Sequence, residues 1–266
     1  LRYDGERFEF LGGPGGAVYD LAEGADGRLY LGTGQALGYL AADAQRQWQW
    51  HPYTLPKDAP AYGDIGRIVE FAGQVFFLSR SHVLIEAQGV WRWLGSSQGY
   101  SELQLRDGQL WLYENGAGLK QYDRERGDFL PAASNGLPDS GIALFSRGAE
   151  PWTASDRAAL YQRVDGRWQP LALAAALAQS LREDRIESLA RLDNGDLAIG
   201  TRFGGYYQLR SDGSLRRRLA SAYLPGTRIT DIQLDRAGGL WLTLDGGSER
   251  LEPDNAVTRY GRAQGV

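Results

Sequence analysis

The 266-residue chain contains no cysteine. Disulfides, thiolate metal sites and thiol nucleophiles are therefore excluded. Histidine is nearly absent as well, with only His51 and His82. A histidine general base needs an orienting carboxylate, and neither residue has one at a diagnostic spacing. The longest apolar run, residues 171–178, is far too short to cross a bilayer. No signal peptide or initiator methionine is visible, and the chain opens at Leu1 within a strand-like pattern, as expected of a processed product or an excised fragment. Charge of one sign is scarce too. The formal net charge is −4, and the one basic run, Arg216-Arg217-Arg218, reads as the solvated edge of a strand. Nucleic acid is thus not an expected partner. The glycine-rich segment 12–16 lacks the Lys-Ser/Thr of a phosphate loop and reads as a linker.

What the chain does have is glycine, 36 residues, and 30 aromatics counted over Trp, Tyr and Phe. Glycine accepts positive φ without steric cost, and aromatics favour strands, so the balance predicts many tight turns between aromatic-rich strands. The two are ordered into a repeat. Clear copies are Ala25-Asp26-Gly27-Arg28-Leu29-Tyr30-Leu31-Gly32-Thr33, Arg106-Asp107-Gly108-Gln109-Leu110-Trp111-Leu112, Asp193-Asn194-Gly195-Asp196-Leu197-Ala198-Ile199-Gly200-Thr201 and Arg236-Ala237-Gly238-Gly239-Leu240-Trp241-Leu242. Weaker copies lie at 71–77 and 147–152. Marker glycines at 27, 73, 108, 148, 195 and 239 are spaced 46, 35, 40, 47 and 44 residues apart. An all-strand repeat at this period predicts the blades of a β-propeller, each of four antiparallel strands.

The blades are expected at 17–53, 64–98, 99–134, 140–173, 185–220 and 228–261, in a single propeller domain over 1–266. Asp107-Gly108 and Asn194-Gly195 carry hairpin-turn chemistry. The connection 174–184 predicts a turn or two of helix across one face. Residues 1–12 resemble the last strands of a blade, so a seventh, incomplete closing blade is expected.

The repeat resembles the two-component regulator propeller repeat of bacterial sensor proteins. The resemblance rests on Gly27-Arg28-Leu29-Tyr30-Leu31-Gly32-Thr33, on Gly108-Gln109-Leu110-Trp111-Leu112 followed by Gly118-Leu119-Lys120-Gln121-Tyr122-Asp123 and Phe129, and on Asn135-Gly136-Leu137-Pro138. Blades 64–98 and 140–173 lack the Gly-Thr and the acidic turn. The resemblance implies a periplasmic, non-catalytic sensor region of a membrane-bound signalling protein, with output performed by other domains. Its partner would be a small molecule, sugar or peptide, or a second propeller, with no cofactor and no membrane contact of its own.

Loops between second and third strands lie on one face with the inter-blade connections and converge at the channel mouth. The candidates there are Gln35, Arg80, His82, Glu114, Asn115, Asp156, Arg157, Arg202, Phe203 and Asp245, a mixture suited to a sugar, peptide or small anion. Glu114, Asn115, Asp156 and Asp245 also offer the hard oxygen ligands that calcium takes, without a diagnostic spacing. His51, after Trp48-Gln49-Trp50, reads as structural. The pairs Trp48/Trp50, Trp91/Trp93 and Tyr206/Tyr207 read as packing between blades rather than a stacking platform. The alternative is a propeller enzyme resembling streptogramin lyase or a metal-dependent lactonase, since Asp235-Arg236-Ala237-Gly238-Gly239-Leu240-Trp241-Leu242-Thr243 shares that strand grammar.

Overall fold

A computed structural model describes residues 2–3, 8–9, 11–106, 108–138, 142–145, 152–155, 157–235, 237–252 and 257–259. The protein is an all-β propeller, and its residues divide into two compact units, 1–133 and 134–266.

The first unit holds three four-stranded antiparallel blades. It opens with a two-stranded ladder of β1 (Arg2–Tyr3) and β2 (Phe8–Glu9). Blade 1 follows as β3 (Leu21–Glu23), β4 (Leu29–Gly32), β5 (Leu37–Ala42) and β6 (Trp48–Pro52). Blade 2 comprises β7 (Ile65–Phe71), β8 (Gln74–Ser79), β9 (His82–Ala87) and β10 (Val90–Gly95). Blade 3 comprises β11 (Tyr100–Arg106), β12 (Gln109–Glu114), β13 (Gly118–Asp123) and β14 (Asp128–Pro131). Strand β7 adjoins both β3 and β11, so the first strand of each blade is the inner one.

The second unit repeats the plan. Blade 4 comprises β15 (Ile142–Phe145), β16 (Trp152–Ser155), β17 (Leu160–Val164) and β18 (Arg167–Pro170). Helix α1 (Ala175–Asp184) leads into blade 5: β19 (Ile186–Arg191), β20 (Leu197–Thr201), β21 (Tyr206–Leu209) and β22 (Leu215–Leu219). Blade 6 comprises β23 (Ile229–Leu234), β24 (Leu240–Leu244), β25 (Gly247–Leu251) and β26 (Val257–Arg259). The helix buries Leu181 among Leu160, Leu189 and Leu197, with Leu177 alongside.

Six four-stranded blades are present among the described residues, not seven. The N-terminal strands expected to belong to a seventh blade bond only to each other. Two further strands would be needed to complete it, and no described strand is left over to supply them.

Each blade buries its faces against its neighbours, as the repeat requires. Within the first unit, Tyr30, Leu37, Ile65, Ile68, Val75, Phe77 and Leu84 fill the space between blades 1 and 2. The hydrophobic cluster around Phe76, Leu103, Leu110, Tyr122 and Phe129 fills that between blades 2 and 3. In the second unit Trp152, Ile199 and Tyr207 join blades 4 and 5, while Tyr206, Ile229 and Leu242 join 5 and 6.

The Gly-Thr that closes the second strand in blades 1 and 5 has a separate physical task for each residue. A Cβ on Gly32 would lie 2.7 Å from Leu37 Cδ2 and 3.2 Å from Ile65 Cγ1. One on Gly200 would lie 2.5 Å from Ile229 Cγ2 and would collide with Ser188 Oγ. Glycine therefore lets the next inner strand approach the blade closely. The threonine caps the turn that follows. Thr33 Oγ1 accepts from the Gln35 and Ala36 amides at 3.2 and 3.1 Å. Thr201 Oγ1 accepts from the Gly204 amide at 3.0 Å and donates to the Gly205 carbonyl at 2.8 Å. Blades 2 and 4, which lack the Gly-Thr, keep the hydroxyl: Ser79 accepts from the His82 amide at 3.0 Å, and Ser155 from the Ala159 amide at 3.1 Å.

Five inner strands carry a register shift just after their first residue, between Ile65 and Arg67, Tyr100 and Glu102, Ile142 and Leu144, Ile186 and Ser188, and Ile229 and Asp231. A bulge bends the strand and re-aims side chains. Polar inner-strand residues there form ion pairs between blades. Arg67 bonds Glu102 Oε1 at 2.9 Å and pairs with Asp20 at 3.8 Å, while the Ile68 backbone amide also donates to Asp20 Oδ2 at 2.7 Å.

Candidate functional site

The candidate site is a pocket of about 490 Å³ in the first unit, set between blades 1 and 2. Blade 1 contributes Asp26, Arg28, Tyr30 and Tyr39, and Tyr53 follows directly from β6; blade 2 contributes Glu70, Gly73, Val75, Glu86, Gln88 and Gly89. In an antiparallel meander, first-to-second and third-to-fourth hairpins share one face of the blade. Residues 25–26, 73 and 88–89 belong to those hairpins, so the pocket opens at that face.

Strand register builds its floor. Glu70 lies opposite Val75, Val75 opposite Glu86, and Glu86 opposite Trp91. One row across blade 2 thus reads Glu, Val, Glu, Trp, all on the same side of the sheet. Facing this row stand the tyrosines. Tyr39 meets Tyr30 edge-on at 6.1 Å and Tyr53 edge-on at 5.6 Å, and Tyr53 meets Trp91 edge-on at 5.3 Å. His51, directly across from Tyr39 in the ladder, stacks on it at 5.0 Å.

Polar contacts order the lining. Glu86 is only 8% exposed, and accepts from the Gly89 amide at 2.7 Å and the Tyr53 hydroxyl at 3.3 Å. Glu70 accepts from the Gly73 amide at 3.0 Å. Asp26 accepts from the Tyr30 hydroxyl at 3.2 Å and pairs with Arg28 at 3.3 Å. The Arg28 guanidinium lies 4.3 Å from the centre of the Tyr39 ring. Burial, reinforced by Glu86, pushes the Tyr53 hydroxyl far above the usual tyrosine range. Burial and then Asp26 raise that of Tyr30. Both hydroxyls therefore stay protonated donors at neutral pH.

Of the residues expected at the channel mouth, those described lie in or beside the turns between second and third strands. In the first unit Gln35 is exposed, and its amide bonds Thr33. Arg80 is exposed; it and Asn115 approach each other at Gly99, where a Cβ would lie 3.7 Å from Arg80 Cγ and 3.8 Å from Asn115 Nδ2. Asn115 also donates to the Gln98 carbonyl at 3.4 Å. The His82 ring bonds Ser81 at 2.8 Å through Nδ1. Glu114 pairs with Lys120. Burial alone would raise its pKa, but hydrogen bonds from Lys120 and Ser96 outweigh burial and hold it below the usual value.

In the second unit Arg202 pairs with Glu187, a bulged inner-strand residue that also takes Arg228. Phe203 is 54% exposed, with the Arg185 guanidinium 5.8 Å from its ring centre. Asp245 accepts from the Arg228 amide at 3.3 Å and from Thr227 at 3.4 Å. Arg157 is exposed and uses its amide on Ser155. Asp156 lies outside the described residues. The basic run 216–218 sits on the outermost strand of blade 5, where Arg216 pairs with Asp196 at 3.1 Å and Arg218 with Asp184 at 3.2 Å. Among the described residues no group of three or more His, Asp or Glu side chains is placed to hold a metal. No helix among them is long and apolar enough to cross a membrane.

Comparison with known proteins bears on the repeat. Residues 12–35, which include β3 and β4 of blade 1, match the family model of the two component regulator propeller. Over that stretch the chain is similar to a two-component regulator propeller repeat. The matched stretch includes the Gly32 and Thr33 whose packing and capping roles recur at Gly200 and Thr201. Outside that repeat the likenesses are of fold. Virginiamycin B lyase from Staphylococcus aureus is 12% identical with a TM-score of 0.67, covering 91% of this chain and 83% of that one. The extracellular domain of a one component system from B. thetaiotaomicron is 18% identical with a TM-score of 0.63, covering 91% of this chain and 33% of that one. The extracellular domain of a hybrid two component system from the same organism is 13% identical with a TM-score of 0.52, covering 94% and 41%. No curated protein sequence matches the chain.

Proposed function

We propose that this chain is the ligand-sensing propeller of an extracytoplasmic bacterial signalling protein, and that a small molecule seats in the pocket between blades 1 and 2. The observation that carries this reading is the pocket itself. A cavity of about 490 Å³ with tyrosine walls and a few converging carboxylates falls within the usual size and chemistry of small-molecule sites. The repeat in residues 12–35 supports the signalling context, as does the likeness to two extracellular regulator domains.

The mechanism is mechanical. A guest held by Tyr39 on blade 1 and by Glu70 and Glu86 on blade 2 ties two blades together. It biases the protein only by binding one arrangement of those blades, or of paired propellers, more tightly than another. Output then belongs to other domains.

Thermal-shift screening of small organic ions and sugars tests the reading, followed by titration of hits against Tyr39→Leu and Glu86→Gln. Hits that bind both variants as well as the parent would refute the pocket. A second seat is favoured by one observation: the Arg202 and Arg228 guanidinium groups converge on Glu187 beside exposed Phe203, two donors that an anion could share. Anion binding that is lost on Arg202→Ala and kept in Tyr39→Leu would select that seat. Lyase or hydrolase turnover lost on His82→Ala would replace the sensor reading with the enzymatic one.

A further inference from the structure

We infer that the guest of the blade 1–blade 2 pocket is an organic cation, a guanidinium or ammonium compound, and that Arg28 is its built-in competitor. The inference rests on the pocket being the ligand seat.

The charge of the lining is the first reason. Asp26, Glu70 and Glu86 are opposed by Arg28 alone. Arg28 pairs with Asp26, which leaves the two blade 2 carboxylates unbalanced.

The second reason is how Glu86 is satisfied. It is buried, yet among the described residues its hydrogen-bond donors are a neutral amide and a neutral phenol. A buried carboxylate without a counter-charge is costly, and a cation entering beside it relieves that cost. Glu70 sits two strands away in the same row and uses one oxygen on the Gly73 amide. Its other oxygen has no partner among the described residues. Two carboxylates separated by the small side chain of Val75 present a cation with acceptors on both sides.

The third reason is Arg28 itself. Its guanidinium on the Tyr39 ring demonstrates that this wall accepts a delocalised cation by the ring quadrupole. Arg28 and its partner Asp26 are 44% and 46% exposed in their side chains. Their attraction is screened by solvent, so an incoming cation with both Glu70 and Glu86 to engage can displace Arg28 from the ring. A neutral sugar can donate hydroxyls to the carboxylates but leaves their charge uncompensated, and an anion is repelled by them.

Calorimetric titration of the 266-residue protein with agmatine, glucose and glutarate tests this. Agmatine is expected to bind saturably, and glutarate not at all. Glu70→Gln is expected to weaken agmatine at least about fivefold, and added salt to weaken it further. Arg28→Ala is expected to tighten it several-fold, because the ring is vacated and a positive charge removed. Absence of saturable agmatine binding to both the parent and Arg28→Ala would overturn the inference, as would a loss of affinity on Arg28→Ala. If glucose or glutarate binds instead and Tyr39→Leu abolishes it, the pocket remains the seat and only the cation class fails. If a probe binds but ignores both Tyr39→Leu and Glu70→Gln, the pocket reading fails with it.

Discussion

Tyr53, just beyond the last strand of blade 1, donates its hydroxyl to Glu86 in the third strand of blade 2 at 3.3 Å. The bond spans 33 residues of sequence and ties the wall of the pocket to its floor. It also explains why a carboxylate only 8% exposed is tolerated there.

Tyr53→Phe removes that donor and leaves Glu86 Oε2 short of a partner. The expected loss of stability is about 1 kcal/mol. Urea unfolding of Tyr53→Phe, Glu86→Gln and the double variant checks it. Strict additivity of the two single effects would show that the pair is not coupled.

Gly200→Ala tests the close approach of blades 5 and 6. The added Cβ has no room beside Ile229 and Ser188, so overpacking of about 1–3 kcal/mol is expected. The same change at Gly27, whose Cβ meets nothing within 4 Å but whose φ is +76°, acts through backbone strain alone. Equal losses at the two sites in thermal unfolding would mean that packing is not what selects glycine at position 200.

Thr201→Val keeps the shape of the side chain and deletes its hydroxyl. The Gly204 amide and Gly205 carbonyl then lose a buried partner, for about 1–3 kcal/mol. Thr201→Ser should recover most of the loss. Failure of serine to do so would assign the effect to the methyl group instead.

Acid sensitivity should concentrate at blade 6. Arg250, bonded at 2.7 Å, holds the Asp235 carboxyl down to about 2, with help from the Gly239 and Ala237 amides and the Trp241 indole. A carboxylate whose pKa is lowered on folding contributes its stability above its unfolded value of 3.8 and loses it as pH falls through about 2. At most about 2 kcal/mol is at stake for this partly exposed pair. Asp235→Asn should flatten the stability profile between pH 4 and 2. An unchanged acid limb in that variant would remove Asp235 as its source.

Much of the architecture was legible because a propeller repeats. Asp107-Gly108 and Asn194-Gly195 announced hairpins, and Gly108 and Gly195 both take the positive φ those turns need. Residues 174–184 announced a helix, which forms over Ala175–Asp184. The number of blades was not legible from residues 1–12, because a strand pattern records a face and a period but not which strand it pairs with. Nor did the bulges after Ile65, Tyr100, Ile142, Ile186 and Ile229 leave a sequence signal, since an extra unpaired residue needs no special side chain.

The site shows the same division. Arg202 and Phe203 could be placed on a turn by counting strands, and the structure adds Glu187 and Arg228 around them. Tyr39, Tyr53, Glu70 and Glu86 carry no motif in sequence, Tyr30 shows there only as a strand position of the repeat, and the five come from separate strands and a connection. The sequence alone determined the period, the strand-forming faces, and the glycine and hydroxyl positions that each blade needs, because these are local and recur. Only the tertiary structure decided that Glu70, Glu86 and three tyrosines line one cavity. That depends on pairing register and on how one blade packs against the next, and both are set by contacts far apart in the chain.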